Sequence, residues 1–556
     1  MKLIIVHSHF RPGGVRRIIE LATPHLARTL RPRVDEVVLA AGEAPEAAWL
    51  KGFQTRLGRV PATCAIEPAL GYLSEQRAHP RTVARRIHAH FQRLLADATP
   101  GNCIAWAHNL GLGRNLLLAR ELVRVCQGRS LPLVAHHHDW WFENRWVRWS
   151  EMRRAGFRST AEVAGTIFSA SPNVRHVAIN QADARLLQRH FPQQAAWLPN
   201  LTEPGRPPSA ARVRFARAWL RRQLGADAPV WLLPCRVLRR KNVAEALLLV
   251  RWLRPEAWLV TTAGVSSADE QDYADQLAKA AQRQRWPLRL GVLRGDDAGQ
   301  PSVAECFAAS EAVLLTSIQE GFGLPYLEAA AAQRPLLARV LPNIAPDLGR
   351  FGLHFPQSYD DVLVTTDLFN WNAECRRQAR LHRAWRAALP RACQRLAEES
   401  VLLAASTPPP AVPFSRLTLA AQLEVLSQPP EISWRQCAPL NPCLRFWRER
   451  AASGRLRVTP WPRTADRWLS GRAYAKRFAE IVAAFPLPSP PHPSTGRRKE
   501  ARIDSGVRSA ERGVENESRL KSAASARNRA EAAQGDFIRE RLQSPYLYPL
   551  LWNSEP

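Results

Sequence analysis

Apolar segments recur in this chain in two rounds, and each round alternates strand with helix. KLIIVHSHF opens the first round: it is β-branched and apolar, and it breaks at RPGG. VRRIIELATPHLART follows with apolar residues at helical spacing. CIAWAHN, then GLGRN and the helical LLLARELVRV, repeat the unit. LPLVAHHHD and RHVAIN are further strands, the second ahead of the helix QADARLLQRHF. The turn-rich LPNLTEPGRPPS at 198–209 reads as a linker. The alternation then restarts with PVWLLPCRV, NVAEALLLVRWL, AWLVTTAG and YADQLAKAAQRQ, and the strands PLRLGVL, EAVLLTS and RPLLARV complete it.

Strands that alternate with helices form parallel sheets covered on both faces. The expected fold is α/β, with two tandem Rossmann-like domains over 1–205 and 206–400 facing a central cleft. A C-terminal extension follows. Over 401–486 it holds a proline break, one helix in FSRLTLAAQLEVL and a Trp/Arg-rich stretch of no assignable fold. From 487 to 556 large apolar residues become scarce, and a disordered tail is expected, ending in the apolar YLYPLLW.

Bulk features narrow the function classes. No apolar run approaches the ~18 residues that cross a bilayer, and the opening segment is too short for a secretory leader. The expected location is the cytoplasm. Nine scattered cysteines without a close CxxC pair give neither a disulfide framework nor a zinc site. The net charge of +29 favours anionic partners, among them sugar nucleotides, phosphates, lipids and nucleic acid, without choosing one.

The segment EGFGLPYLE, Glu320 to Glu328, directly follows the strand EAVLLTS. Gly321 and Gly323 permit a tight turn and close approach of backbone to ligand. Pro325 suits the start of a helix. Free N–H groups and the positive helix end would then face the sheet's C-terminal edge, an anion site suited to a diphosphate. Glu328 in the first turn can accept hydrogen bonds from ribose, and Glu320 can reach a sugar. PCRVLRRKN, at the end of the second round's first strand, brings Arg236 and Lys241 to the same edge. Cations there would neutralise a pyrophosphate and stabilise its departure.

Together these elements resemble the GT-B fold retaining glycosyltransferases of family 4, over about residues 1–400. That family carries Arg and Lys after the first strand of its C-terminal domain, an E-x7-E motif and a Gly-rich turn after its first strand. These match Arg236 and Lys241, Glu320 and Glu328, and Gly13 and Gly14. The resemblance implies that Arg236, Lys241 and the amides of Phe322, Gly323 and Leu324 bind the donor diphosphate. By the same resemblance Glu328 holds the ribose, Glu320 contacts the transferred sugar, and Gly13 and Gly14 close over the phosphates. It also implies retention of anomeric configuration by front-face attack, with the leaving phosphate accepting the acceptor's proton.

The N-terminal half departs from the common single histidine with His136, His137, His138 and Asp139. Alternation along a strand puts His136 and His138 on one face and His137 on the other. These four consecutive residues cannot all ligate one metal, so no metal site is expected. His138 or Asp139 is expected at the ligand. Trp140 and Trp141 read equally as sugar platforms or as core. His108, Asn109 and Arg114, in WAHNLGLGRN, are the candidate acceptor residues.

No DxD-type cluster is evident: Asp296 and Asp297 are adjacent rather than alternating. The expected partners are a nucleotide-sugar co-substrate and a hydroxyl acceptor, a sugar or another small compound, with an anionic acceptor as the variant. No cofactor is expected. Nucleotide-sugar epimerases and phosphorylases share the fold and are the enzyme alternative. A nucleic-acid-binding protein or a non-catalytic sugar-nucleotide binder are the others, and no nucleic-acid module is recognised. The basic segment RTVARRIHAHFQRLLADA aligns Val83, Ile87, Phe91 and Leu94 on one helical face. That stripe is expected to face the sheet, with a lipid interface as its second reading.

Overall fold

A computed structural model describes the chain apart from residues 203, 266–269, 294–298, 398–404, 406, 487–506 and 543–556. The chain forms two compact units. Among the described residues, the first comprises Met1–Ile179, Asp183–Leu198 and Tyr474–Arg539; the second comprises Asn180–Ala182 and Pro199–Ala473. Each is built on one parallel sheet.

The first unit's sheet has seven strands: β1 (Lys2–Val6), β2 (Glu36–Ala41), β3 (Ala62–Ile66), β4 (Cys103–His108), β5 (Leu133–His137), β6 (Val174–Ala178) and β7 (Ala195–Trp197). Their order is β3-β2-β1-β4-β5-β6-β7. β1, β4, β5 and β6 are buried almost throughout, as expected of central strands covered on both faces. The second unit repeats the plan with β8 (Val230–Leu233), β9 (Trp258–Thr261), β10 (Leu288–Arg289), β11 (Ala312–Leu315), β12 (Leu336–Arg339) and β13 (Gln357–Tyr359). Their order is β10-β9-β8-β11-β12-β13. Both sheets are Rossmann-like. β14 (Leu363–Thr365) and β15 (Ala411–Pro413) add an antiparallel pair.

Strand order reverses beside β1 in one sheet and beside β8 in the other. In open α/β sheets the crevice at the carboxyl ends of those strands is the natural ligand site. In the first unit's sheet that switch lies between β1 and β4; in the second unit's sheet, taken by itself, it lies between β8 and β11.

The helix Pro80–Leu94 buries Val83, Ile87 and Phe91, while Leu94 is partly buried, so its apolar stripe faces the protein interior. No helix among the described residues is long and apolar enough to cross a membrane.

The C-terminal stretch differs from its expectation. The Trp/Arg-rich region folds into the helices Pro430–Cys437, Pro442–Ala452, Arg463–Leu469 and Gly471–Ala483. Trp434 packs against Trp252, whose indole N–H donates to Ser433 Oγ at 3.0 Å. Tyr474 and Phe478, wholly buried, pack on Trp106 of β4.

The structureless tail expected over 487–556 does not hold for Val507–Leu542, which is a single helix. Near its end Ala530, Ala533, Phe537 and Ile538 are buried. The Phe537 ring lies 4.8 Å from Trp140, 5.5 Å from Phe142 and 5.9 Å from Phe168. Gln534 Nε2 donates to the Thr160 carbonyl at 2.8 Å. The segment is rich in helix-forming Ala, Arg and Glu, and a narrow apolar stripe was enough to dock it. YLYPLLW lies outside the described residues.

Candidate functional site

In the second unit the chain leaves β8 through Cys235 and Arg236, an exposed residue, and makes one 3-10 turn over Arg239–Lys241. The three cations of that turn have separate tasks. Arg239 is buried, and its guanidinium donates to Asn242 Oδ1 and to the carbonyls of Ser415 and Leu417, so it holds the fold. Arg240 and Lys241 instead reach the loop after β11. Arg240 Nη1 donates to the Gln319 carbonyl at 3.0 Å and lies 3.4 Å from Glu320 Oε2. Lys241 Nζ pairs with Glu320 Oε1.

Two further bonds lock these loops together. The Ile318 amide donates to the Arg240 carbonyl at 2.9 Å, and Thr316 Oγ1 donates to the Lys241 carbonyl at 2.9 Å. Glu320 is therefore fixed at the strand-order switch. Burial pushes its carboxyl upward, but Lys241 and Arg240 outweigh this and hold it below its usual range. It is a buried carboxylate, ionised at neutral pH.

Gly323 has φ 73° and caps the helix Leu324–Ala331. Its left-handed backbone favours glycine, and an added Cβ would come within 2.8 Å of the Tyr326 ring. Pro325 is the second helical residue, where its missing N–H costs nothing. Phe322 is buried, Leu324 and Glu328 partly so. The helix start thus follows Glu320 by a few residues at the same sheet edge. Arg339, at the end of β12, is also a buried cation, but Glu245 and Asp361 neutralise it within the core. Asp296 and Asp297 lie outside the described residues.

In the first unit, parallel register pairs His108 of β4 with His136 of β5. The strand alternation holds. His136 and His138 rings are 4.5 Å apart, whereas His137 faces away, stacked on Trp140 and hydrogen-bonded to His176. His108 Nδ1 lies 3.0 Å from His138 Nε2, and His7, just after β1, stands beside His108. One nitrogen each from His108, His136 and His138 fall within 4.8 Å of one another, a spacing that one ion could bridge. The expectation of no metal cluster considered only consecutive residues, and β4 supplies the third imidazole. The Trp106 indole N–H points at His136 Nδ1 from 3.3 Å.

Burial keeps all these imidazoles neutral. It pushes His7 down to about 3, with His9 adding to the effect. Burial takes His138 to about 4 against the opposing Asp139, and His176 likewise to about 4. His108, His136 and His137 are lowered for the same first reason. These folded-state values lie below the unfolded one, so the unfolded chain binds more protons as pH falls below about 6.5. Stability should be level between about pH 7 and pH 8 and fall between about pH 6.5 and pH 4. The slope should be about 1.4 kcal/mol per pH unit for each histidine that stays neutral in the fold. Denaturant titrations at pH 7.5 and pH 5 check this, and equal stability at both would contradict the buried neutral cluster.

Other candidates are engaged structurally. Asn109 has φ 57°, and its Oδ1 accepts the amides of His138 and Asp139 at 2.9 and 3.2 Å. Its side chain therefore positions His138, which leaves that oxygen unsuited to acceptor recognition. Arg114 lies over the Tyr72 ring at 5.0 Å, and Tyr72 is bonded to His9. Trp140 and Trp141 are core residues, with Trp140 Nε1 donating to Asp183 at 2.9 Å, and neither offers a sugar platform. Asp139 is partly buried, 3.9 Å from Arg145. Gly13 caps the first helix and Gly14 opens it, and a Cβ on Gly14 would meet nothing within 4 Å. The sequence did not single out Arg240 or His7, whose partners Gln319 and His108 stand 79 and 101 positions away.

No family model matches the chain. It is 22% identical to the mannosylglucosyl-3-phosphoglycerate synthase of Petrotoga mobilis, over 62% of this chain and 65% of that protein. It is 27% identical to the mannosylglucosylglycerate synthase of Thermotoga maritima, over 40% of this chain and 54% of that protein. The chain thus spans less than two thirds of the curated relatives it matches. Among solved structures it is similar to HepE of Anabaena in complex with UDP and glucose, with 14% identity, 87% and 100% coverage and a TM-score of 0.48. Sucrose-phosphate synthase of Thermosynechococcus elongatus gives 13% identity, 87% and 98% coverage and a TM-score of 0.46.

Proposed function

We propose that the chain is a glycosyltransferase that moves a sugar from a nucleotide-sugar donor to an acceptor hydroxyl. The observation that carries this is the second unit's switch point. There Arg240 and Lys241 converge on the ionised Glu320 beside a glycine-capped helix start. Cations and a helix N-terminus suit a departing diphosphate, and Glu320 can hold sugar hydroxyls. Arg236, Lys241 and the amides of Phe322, Gly323 and Leu324 are assigned the diphosphate, Glu328 the ribose, and Gly13 and Gly14 the phosphates from the first unit. His138 and Asp139 are assigned to the sugar or acceptor, with His108 and Arg114 on the acceptor side.

The likeness to synthases of sugar-glycerate compounds supports the same reading, and the Petrotoga protein's name supports an acceptor that carries an anionic group. Configuration would be retained. The neutral imidazole cluster can accept or donate hydrogen bonds to sugar hydroxyls, but it cannot serve as a cationic phosphate clamp near pH 7.

Thermal unfolding with UDP, GDP and ADP is the first test. One of them should stabilise the protein, by about 2.7 kcal/mol at a hundredfold excess over its Kd. Transfer should persist in EDTA, because Arg and Lys supply the positive charge at the phosphates. Inactivation by EDTA with recovery on adding zinc or manganese would overturn that electrostatic assignment. Indifference to all three nucleotides would overturn the function.

A further inference from the structure

On the first unit lies a cavity of about 420 Å³ ringed by Arg81, Arg120, Arg153 and Arg158. Among the described residues no carboxylate lines it, although the Arg158 amide donates to Glu162 Oε2 at 2.8 Å. Its floor is apolar, with Leu117 and Phe157 buried. Pro80 and Arg81 open the helix Pro80–Leu94, and Leu117 and Arg120 lie near the start of the helix Leu116–Gly128. Neither helix has an acidic residue in its first turn, so both positive ends lack an internal counter-charge.

The arginines differ in how they are engaged. Arg120 donates to Glu121 at 2.9 Å and lies 5.5 Å from the Phe157 ring centre. Glu121 is itself buried and already shared with Arg124. Arg81, Arg153 and Arg158 have no ion pair among the described residues, and all three are exposed at the rim. Like charges around one concavity repel each other, and an anion of high charge density relieves that repulsion. Guanidinium forks match phosphate oxygens two at a time. The volume suits a small metabolite rather than a bare ion.

We infer that this cavity binds the phosphate monoester of a small soluble molecule and, on the glycosyl-transfer reading above, that this molecule is the acceptor. Such a monoester is largely dianionic at pH 7, with a second pKa of about 6. Its affinity falls as pH drops below 6 and as salt rises.

Calorimetric titration of the full chain with glycerol 3-phosphate and with plain glycerol, at about 0.15 M salt, tests this. The phosphate ester should bind saturably and glycerol should not. The double variant Arg153→Gln/Arg158→Gln should bind at least about tenfold more weakly, since two charged donors are lost. The exposed Arg222→Gln, in the other unit, should bind like the parent. The double variant should keep the parent's response to UDP, GDP or ADP. Equal binding by the double variant, or no binding by the parent, overturns the inference. So does co-flotation with phosphatidic-acid vesicles combined with indifference to glycerol 3-phosphate, which would make the ligand a lipid headgroup. Phosphate-ester binding without any nucleotide response would leave the cavity standing and refute the glycosyl-transfer reading alone.

Discussion

Lys241→Ala should lower kcat/KM for sugar transfer by about 10²-fold or more, the cost of losing a preorganised charge at the reacting group. Two effects combine. The leaving diphosphate loses one cation, and Glu320 loses the partner that holds it ionised. Removing one member of a buried pair also destabilises the fold, because the remaining charge is left uncompensated. Glu320→Gln is the complementary variant. It keeps the shape but leaves Lys241 and Arg240 without their counter-charge, so some stability is lost here too, and transfer should drop beyond what that loss explains. Both variants should be assayed with the donor whose nucleotide stabilises the parent, next to their unfolding midpoints. Near-parental turnover in Lys241→Ala would remove the site assignment. A loss of activity that merely tracked loss of folded protein would make the pair structural.

Phe537→Ala should cost about 3–5 kcal/mol of stability, the range for truncating a buried aromatic. The ring is 1% exposed and sits among Trp140, Phe142 and Phe168. Trp140 in turn stacks on His137, next to the histidine cluster. Deleting 507–556 should therefore be worse than the point change, yielding a protein that aggregates or unfolds at moderate temperature. The exposed Arg539→Ala is the control and should change stability by less than about 0.5 kcal/mol. Chemical denaturation of the three proteins decides the point. Parental stability in Phe537→Ala would mean that the helix does not rest on the first unit's core.

Much of the fold was legible because central parallel strands are continuous apolar runs. KLIIV, CIAWAH and AVLL need no partner to be recognised. β3, ATCAI, escaped notice for the opposite reason: it is a half-exposed edge strand with no apolar run. The helix Val507–Leu542 was missed because docking depends on a few residues near its end rather than on its average composition. At the site, Gly323, Pro325 and Glu320 could be read because turn, helix start and strand end are contiguous in sequence. Arg240 could not, since its hydrogen bond to the Gln319 carbonyl spans 79 positions and Arg239, Arg240 and Lys241 look alike as letters. The pairing of His108 with His138 depends on the register of β4 against β5, which periodicity on one strand cannot supply. Trp140 and Trp141 show the limit of residue type: the same letters suit a sugar platform and a core, and burial decided for the core.

The first unit's chain is discontinuous: it breaks off at Leu198 and resumes at Tyr474. During synthesis, the surfaces of Trp106 and Trp140 that Phe478 and Phe537 cover are made long before their covers. At about 5–20 residues per second, translating Pro199–Ala473 takes on the order of 15–55 s. For that interval the nascent first sheet exposes two indoles beside its histidines. The ribosome-bound intermediate is thus a natural client for a holdase, and slowing elongation within the second unit should raise the fraction of chains lost to aggregation.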